Sequence, residues 1–406
     1  MNTHHIKTTK QFVLTFSAIV FSCFTSIAQV KPFGKEKFII IPFEASRFDT
    51  SQRKAEFITY RGLKVMKALP QPEGQAVPVT LKGLNFTNGT IEFDVMPIEN
   101  DYINDLAINF HQKDIYNFES VYLRTQVNET EQRDDALQYT PYIHGDNLWD
   151  LMTPFRGDAI VHNQEWNHFK LVISGMQMLI YINHSIKPTM QVPRLEGKYK
   201  TGAISFDGEA LFANLVIKPD VTEGLSPVEG IDITDNDPRY IRNWQVSYPQ
   251  YIAHGRMLTQ DDLPKDSTQW LPITAERRGI INLSRRFEGE EFTSYPKRNR
   301  YVWIKTTIKS DMKRNLKIDF GFNKEVYVFI NGRSLYDGRN GAGNRYQMNP
   351  GGRVDVSNYV LEVPLQQGDN QLLIGIDSPL EGWGMVARLQ NLDGITIQNG
   401  TNKNAE

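Results

Sequence analysis

The chain has 406 residues, enough for two ordinary β domains with separate cores. A formal charge of −2 gives no overall field that would draw nucleic acid or an anionic membrane. The composition and motifs also exclude P-loop, dinucleotide and zinc chemistry, since Gly338-Arg-Asn-Gly341-Ala-Gly343 lacks the strand and helix that a phosphate-binding turn needs.

His4, His5, Lys7 and Lys10 precede an apolar run from Phe12 to Ile27, and Ser26-Ile27-Ala28 gives a small-x-small ending. This predicts a secretory signal peptide over residues 1–28, cleaved after Ala28. The run is short and broken by Thr15, Ser17, Ser22 and Ser26, so no transmembrane span is expected. Val20-Phe21-Ser22-Cys23 is a poor lipoprotein box, because a bulky Phe stands where a small or branched residue is usual. Soluble export, to the periplasm or beyond the cell, is therefore set ahead of lipid anchoring through Cys23. Cleavage would remove the chain's one cysteine, leaving packed cores without disulfides to hold the fold.

No long amphipathic helical repeat follows. Lys54–Leu69 reads as strand, and further strands are expected at Val77–Leu81, Gly89–Pro97, Asp105–His111, Phe118–Gln126 and Ala159–Val161. Trp166–Asn183 then gives two apolar runs, Phe169–Ile173 and Met178–Ile182, around a Gly175 turn, the pattern of an antiparallel hairpin. Strands at Gly202–Asp207 and Ala210–Lys218 complete the first half. Lys218–Pro238 carries three prolines, several acids and only scattered apolar positions, and residues 221–237 within it are expected to be a linker. Strand patterning returns at Tyr301–Ile308, Leu316–Phe322, Val326–Ile330, Val360–Val363, Gln371–Ile376 and Met385–Leu389, with Asn331-Gly332 at a bend. Residues 399–406 form a polar tail expected to be flexible. The reading is all-β: two consecutive antiparallel β-sandwich (jelly-roll) domains, at 29–220 and 238–398.

Three segments of the first half resemble the concanavalin A-like lectin/glucanase superfamily, which includes laminin G-like modules. They are Phe118-Glu-Ser-Val-Tyr-Leu-Arg124, the stretch from Asp135 through Pro141 to Gly145 and Trp149, and the hairpin with the Gly202–Ile217 strands. The second half is similar to the galactose-binding-like sandwiches appended to exported bacterial glycoside-processing enzymes. That likeness rests on Tyr301-Val-Trp303, Val326-Tyr-Val-Phe-Ile-Asn-Gly332, Gly368-Asp-Asn370 and Gly382-Trp-Gly-Met385. Both resemblances imply a two-sheet fold and a glycan partner.

The glucanases of that superfamily alternate catalytic acids as E-x-D-x-x-E on one strand, so that all three line one cleft. Here Glu92-Phe93-Asp94-Val95-Met96-Pro97 ends in proline, and the third carboxylate is missing. Glu92 and Asp94 then read as the polar face of an ordinary half-buried strand. A loop at Tyr139–Asp150 is a better ligand site. Tyr139, Tyr142 and Trp149 offer stacking faces, and His144, Asp146, Asn147 and Asp150 offer polar handles. The same aromatics would also suit a loop folded back as a cap. Tyr122 and Arg124 alternate on the neighbouring strand, where Arg124 would either pair with Asp134-Asp135 or clamp a ligand.

No cofactor is expected. The histidines are scattered, and calcium stays open through Asp232, Asp235 and Asp237, whose spacing linker acidity explains equally. Arg333, Arg339, Arg345 and Arg353, with the pairs Arg277-Arg278 and Arg285-Arg286, would suit an acidic polysaccharide if folding gathered them. Asp337, Asp355 and the Glu288–Glu291 acids offset them, so they read as dispersed solvated charge. The leading reading is a secreted carbohydrate-binding protein whose sandwich loops hold a poly- or oligosaccharide. A glycosidase with an unrecognised carboxylate pair and an adhesion or scaffold protein remain alternatives, and the sequence sets no oligomeric state.

Overall fold

Alternating apolar and polar residues dictate the strands, and their pairing builds two antiparallel β-sandwiches. The computed structural model describes residues 38–70, 77–98, 104–125, 134–253, 255–287, 298–343, 345–378 and 381–398. The expected signal peptide, Cys23, the Glu288–Glu291 acids and the C-terminal tail lie outside the described residues. Lys37–Glu406 forms one unit by its contacts. Among the described residues no helix is long and apolar enough to cross a membrane.

One sheet of the first sandwich is centred on Gly89–Pro97, which pairs with Asn167–Ser174 on one side and Ala210–Pro219 on the other. Ile91, Phe93 and Val95 point into the core and are fully buried, and Phe93 stacks on Phe169 at 4.8 Å. The expected hairpin forms, with Ser174 paired to Gln177 across a two-residue turn. The opposing sheet runs Asp146–Asn147, Leu137–Ile143, Phe118–Arg124, Asp105–Gln112, Ala203–Asp207, Val79–Leu81 and Phe48–Asp49. Its inward residues, among them Ile108, Val121, Leu123 and Phe206, meet those of the first sheet in one apolar core.

The second sandwich packs a larger sheet, built on Arg298–Ser310 and Gly368–Ser378, against the four strands Ile280–Asn282, Gly384–Leu389, Arg314–Phe322 and Tyr359–Leu365. Its core holds Trp244, Val302, Phe320, Ile374 and Trp383. The Asn331-Gly332 bend is as expected, with φ of 49° and 76°, a left-handed pair that closes a tight hairpin. Strands at Asn243–Ser247, Gln250–Ala253 and Trp270–Thr274 were not expected, because each is short and Pro272 disguises one of them.

Two expectations need correcting. Ala159–Val161 is not a strand; the only pairing nearby is at Arg156–Gly157, which joins the edge of Leu137–Ile143. The supposed loop at Tyr139–Asp150 begins as that strand, His144-Gly145 turns the chain into Asp146–Asn147, and a second turn follows at Trp149–Asp150. Residues 221–237 lie back along the first sandwich. The Met176 N–H donates to the Pro227 carbonyl at 2.9 Å, Gly230 N–H to Pro193 at 2.8 Å, and Lys170 pairs with Glu223. A Cβ on Gly175 would come within 2.3 Å of the Pro227 oxygen, so this turn admits only glycine.

Candidate ligand-binding cleft

Register decides which residues of the second sheet face outward. Tyr122 pairs with Gln138, and Arg124 lies opposite Asp105, so these four share the outer face. On that face the Arg124 guanidinium donates to the Tyr122 hydroxyl at 2.9 Å and to the Asp135 carbonyl at 2.6 Å. It also lies 3.4 Å from the Asp135 carboxylate and 3.7 Å from Asp105. The pairing expected of Arg124 with the 134–135 acids is therefore present, and Asp134 pairs instead with Arg156 at 2.9 Å. Burial raises the Tyr122 phenol well above its ordinary range, so it stays a neutral hydroxyl.

The second sandwich closes this face from the side. After Arg333–Asn340 the chain folds over the first sandwich. Arg353 donates to Gln138 Oε1 at 3.0 Å and covers one face of Trp149, with its guanidinium carbon 4.8 Å from the ring centre. Val354 N–H donates to the Asp150 carbonyl at 2.8 Å, and Thr153 Oγ1 donates to the Val354 carbonyl at 2.6 Å. The buried Asp150 carboxylate accepts from Asn323 at 3.0 Å, with Lys324 at 3.6 Å. The result is a cleft of about 800 Å³. Tyr122, Arg124 and Trp149 form its floor, and Ala342, Gly343, Gln347, Asn349, Gly351 and Arg353, together with Glu381, form its wall.

The site residues read from sequence divide accordingly. Tyr122, Arg124 and Trp149 line the cleft, whereas Tyr139, Tyr142, His144 and Asp146 do not. Tyr139 must be corrected outright. It pairs across from Val121, points into the core with no exposed surface, and donates its hydroxyl to Glu119 at 2.7 Å. Tyr142 faces outward but stacks on Phe118 at 4.3 Å, and its hydroxyl accepts from Asn147 at 2.9 Å. His144 meets Lys198 at 3.1 Å, and Asp146 pairs with Arg300 at the junction with the second sandwich. Arg353, expected to be solvated, is instead buried.

Asp105, Asp134, Asp135, Arg156 and Glu381 also line the cleft. The 134–135 acids had a sequence signal through Arg124. Glu381 had none, because nothing local ties it to a strand more than two hundred residues earlier. Two of the three calcium candidates are engaged within the chain: Asp232 accepts from Thr234 and from Arg278 N–H, and Asp237 from Arg239. Among the described residues no group of three or more His, Cys, Asp or Glu side chains could hold a metal ion.

The Glu92–Asp94 pair lies on the outer face of the opposite sheet, away from the cleft. His168 sits between the two acids, 2.7 Å from Asp94 and 3.7 Å from Glu92, with His184 stacked on it at 4.1 Å. Burial works to lower the imidazole's pKa, but the hydrogen bonds with Asp94 and then Glu92 outweigh it and raise it to about 9. Glu92, bonded to His168 and Lys218, falls to about 2. Two other acids move the opposite way: burial pushes Glu119 and Asp150 up to about 7. Both are sealed from solvent, and neither lines the cleft.

No family model matches the chain, nor does any curated protein. Solved structures match parts of it at low identity. A carbohydrate binding module from Bacillus subtilis is 11% identical with a TM-score of 0.28, covering 42% of this chain and 94% of its own. A β-glucanase from Bacillus licheniformis is 9% identical with a TM-score of 0.28, covering 47% and 95%. Domain 4 of an extracellular arabinanase from Geobacillus stearothermophilus, solved with arabinotriose, is 12% identical with a TM-score of 0.27, covering 42% and 77%.

Proposed function

We propose that this is an exported carbohydrate-binding protein that holds a stretch of poly- or oligosaccharide in the cleft between its two sandwiches. In this reading the domain at 29–220 supplies the floor and the domain at 238–398 the wall. The observation that carries the reading is the lining of the cleft. Trp149 offers an apolar ring beside Asn147, Gln347 and Asn349, with paired carboxylates and guanidiniums around them. Sugars present the same mixture, C–H faces for stacking and hydroxyls that need both donors and acceptors. The volume suits an oligosaccharide segment rather than a single small ion.

A hydrolase is the second reading, favoured by the four cleft carboxylates Asp105, Asp134, Asp135 and Glu381. Binding ranks first because the two carboxyls that burial raises to about 7, Glu119 and Asp150, lie outside the cleft and cannot reach a substrate. A glycan array paired with an assay for new reducing ends separates the two readings. Retention on glycan with no release of sugar supports binding, and turnover abolished by Glu381→Gln would move the assignment to hydrolase.

A further inference from the structure

We infer that the cleft takes a neutral glycan and turns away polyanionic ones, such as uronate-bearing or sulfated chains. This rests on the glycan reading above and names the substrate class of the same site. The lining holds three guanidiniums, Arg124, Arg156 and Arg353, against four carboxylates, so the balance alone gives no attraction for an anion. The layering of the charges decides the sign. The guanidinium side chains are 13%, 22% and 2% exposed, whereas Asp105 is 52%, Asp134 72% and Glu381 39% exposed.

Three of the four carboxylates thus stand at the mouth, Glu381 among them paired with Lys324, while Asp135, 20% exposed, lies beneath with the cations. Each guanidinium also has a carboxylate partner already: Asp105 and Asp135 for Arg124, Asp134 for Arg156, Asp135 for Arg353. A ligand carboxylate or sulfate entering here would meet the exposed Asp and Glu oxygens first. It would then have to displace an existing partner to reach any Arg. A neutral diol is not repelled at the mouth, because it carries no charge and its hydroxyls donate to the outer carboxylates.

The test is titration of the full chain with two probe sets at low salt. One set is neutral gluco-, xylo-, galacto-, fructo- and arabino-oligosaccharides; the other is polygalacturonate, alginate and heparin oligosaccharides. At least one neutral probe is expected to bind about tenfold or more tighter than every anionic probe. Raising NaCl should narrow that gap by screening the mouth, with neutral affinity nearly constant. Asp134→Asn combined with Glu381→Gln should shrink the ratio severalfold, read at a melting temperature that confirms folding. Equal or tighter binding of an anionic probe by the wild type would overturn the inference and leave the glycan reading standing. Binding of neither set would remove the glycan reading itself.

Discussion

The two outward faces of the first sandwich carry similar chemistry and differ in what stands over them. On one, His168 lies between Glu92 and Asp94, each about a fifth exposed, and the charges satisfy each other. On the other, Arg124 and its acids stand beside Trp149 under a wall brought by the second sandwich. Charged residues at strand spacing do not make a binding site unless another part of the chain closes over them. Glu92 and Asp94 match two thirds of a glucanase motif yet serve an ion network, whereas the cleft matches no motif.

The sharpest way to break this comparison is to remove the wall's anchor. Arg353→Ala deletes a buried guanidinium that bonds Gln138, pairs with Asp135 and covers Trp149. Breaking such a buried set should destabilise the protein by about 3 kcal/mol and abolish glycan retention, measured by urea unfolding and affinity electrophoresis. Trp149→Ala should weaken glycan binding by about 1–3 kcal/mol with a small change in melting temperature, because the ring is only half-buried. Calorimetric affinity unchanged by that substitution would place the ligand elsewhere.

The face that carries His168 answers to pH. His168 is raised to about 9 in the fold from an ordinary 6.5, so its stabilising contribution is complete below pH 6.5 and is lost as pH rises through 9. His168→Gln should flatten that decline, an effect of roughly 1–2 kcal/mol after solvent screening, and leave binding at the cleft intact. Glu119 has the opposite sense. Its folded pKa of about 7 lies above 4.5, so stability falls between pH 4.5 and 7 as the unfolded chain ionises first. Glu119→Gln should reduce that slope in melting curves taken from pH 4 to 8, with Asp150 still contributing to it. The smallest effect is expected from Tyr142→Ala on glycan affinity, since its ring rests on Phe118 outside the cleft.

The architecture was legible because apolar alternation is local, and the site was legible only where it too was local. Tyr122 and Arg124 share a face by simple alternation, and Asp135 follows close behind them. Tyr139 and Tyr142 show the limit. Treated as loop residues they were both stacking candidates, yet three residues apart on one strand they must face opposite ways, one buried in the core and one outward. Recognising Leu137–Ile143 as a strand would have separated them. Arg353 and Glu381 had no such route, because their meeting with the first sandwich depends on packing between segments far apart in the chain.

That distance has a kinetic meaning. The bond from Arg353 to Gln138 closes a separation of 215 residues, among the longest-range contacts in the protein. Both sheets of the first sandwich can pair from residues within the first half, but the wall cannot form until the second sandwich has folded and docked. Contacts of such separation are formed late, because chain closure costs entropy before it is rewarded. During refolding, bulk β-structure should therefore return ahead of glycan affinity, and the interval between them is the time the second sandwich takes to arrive.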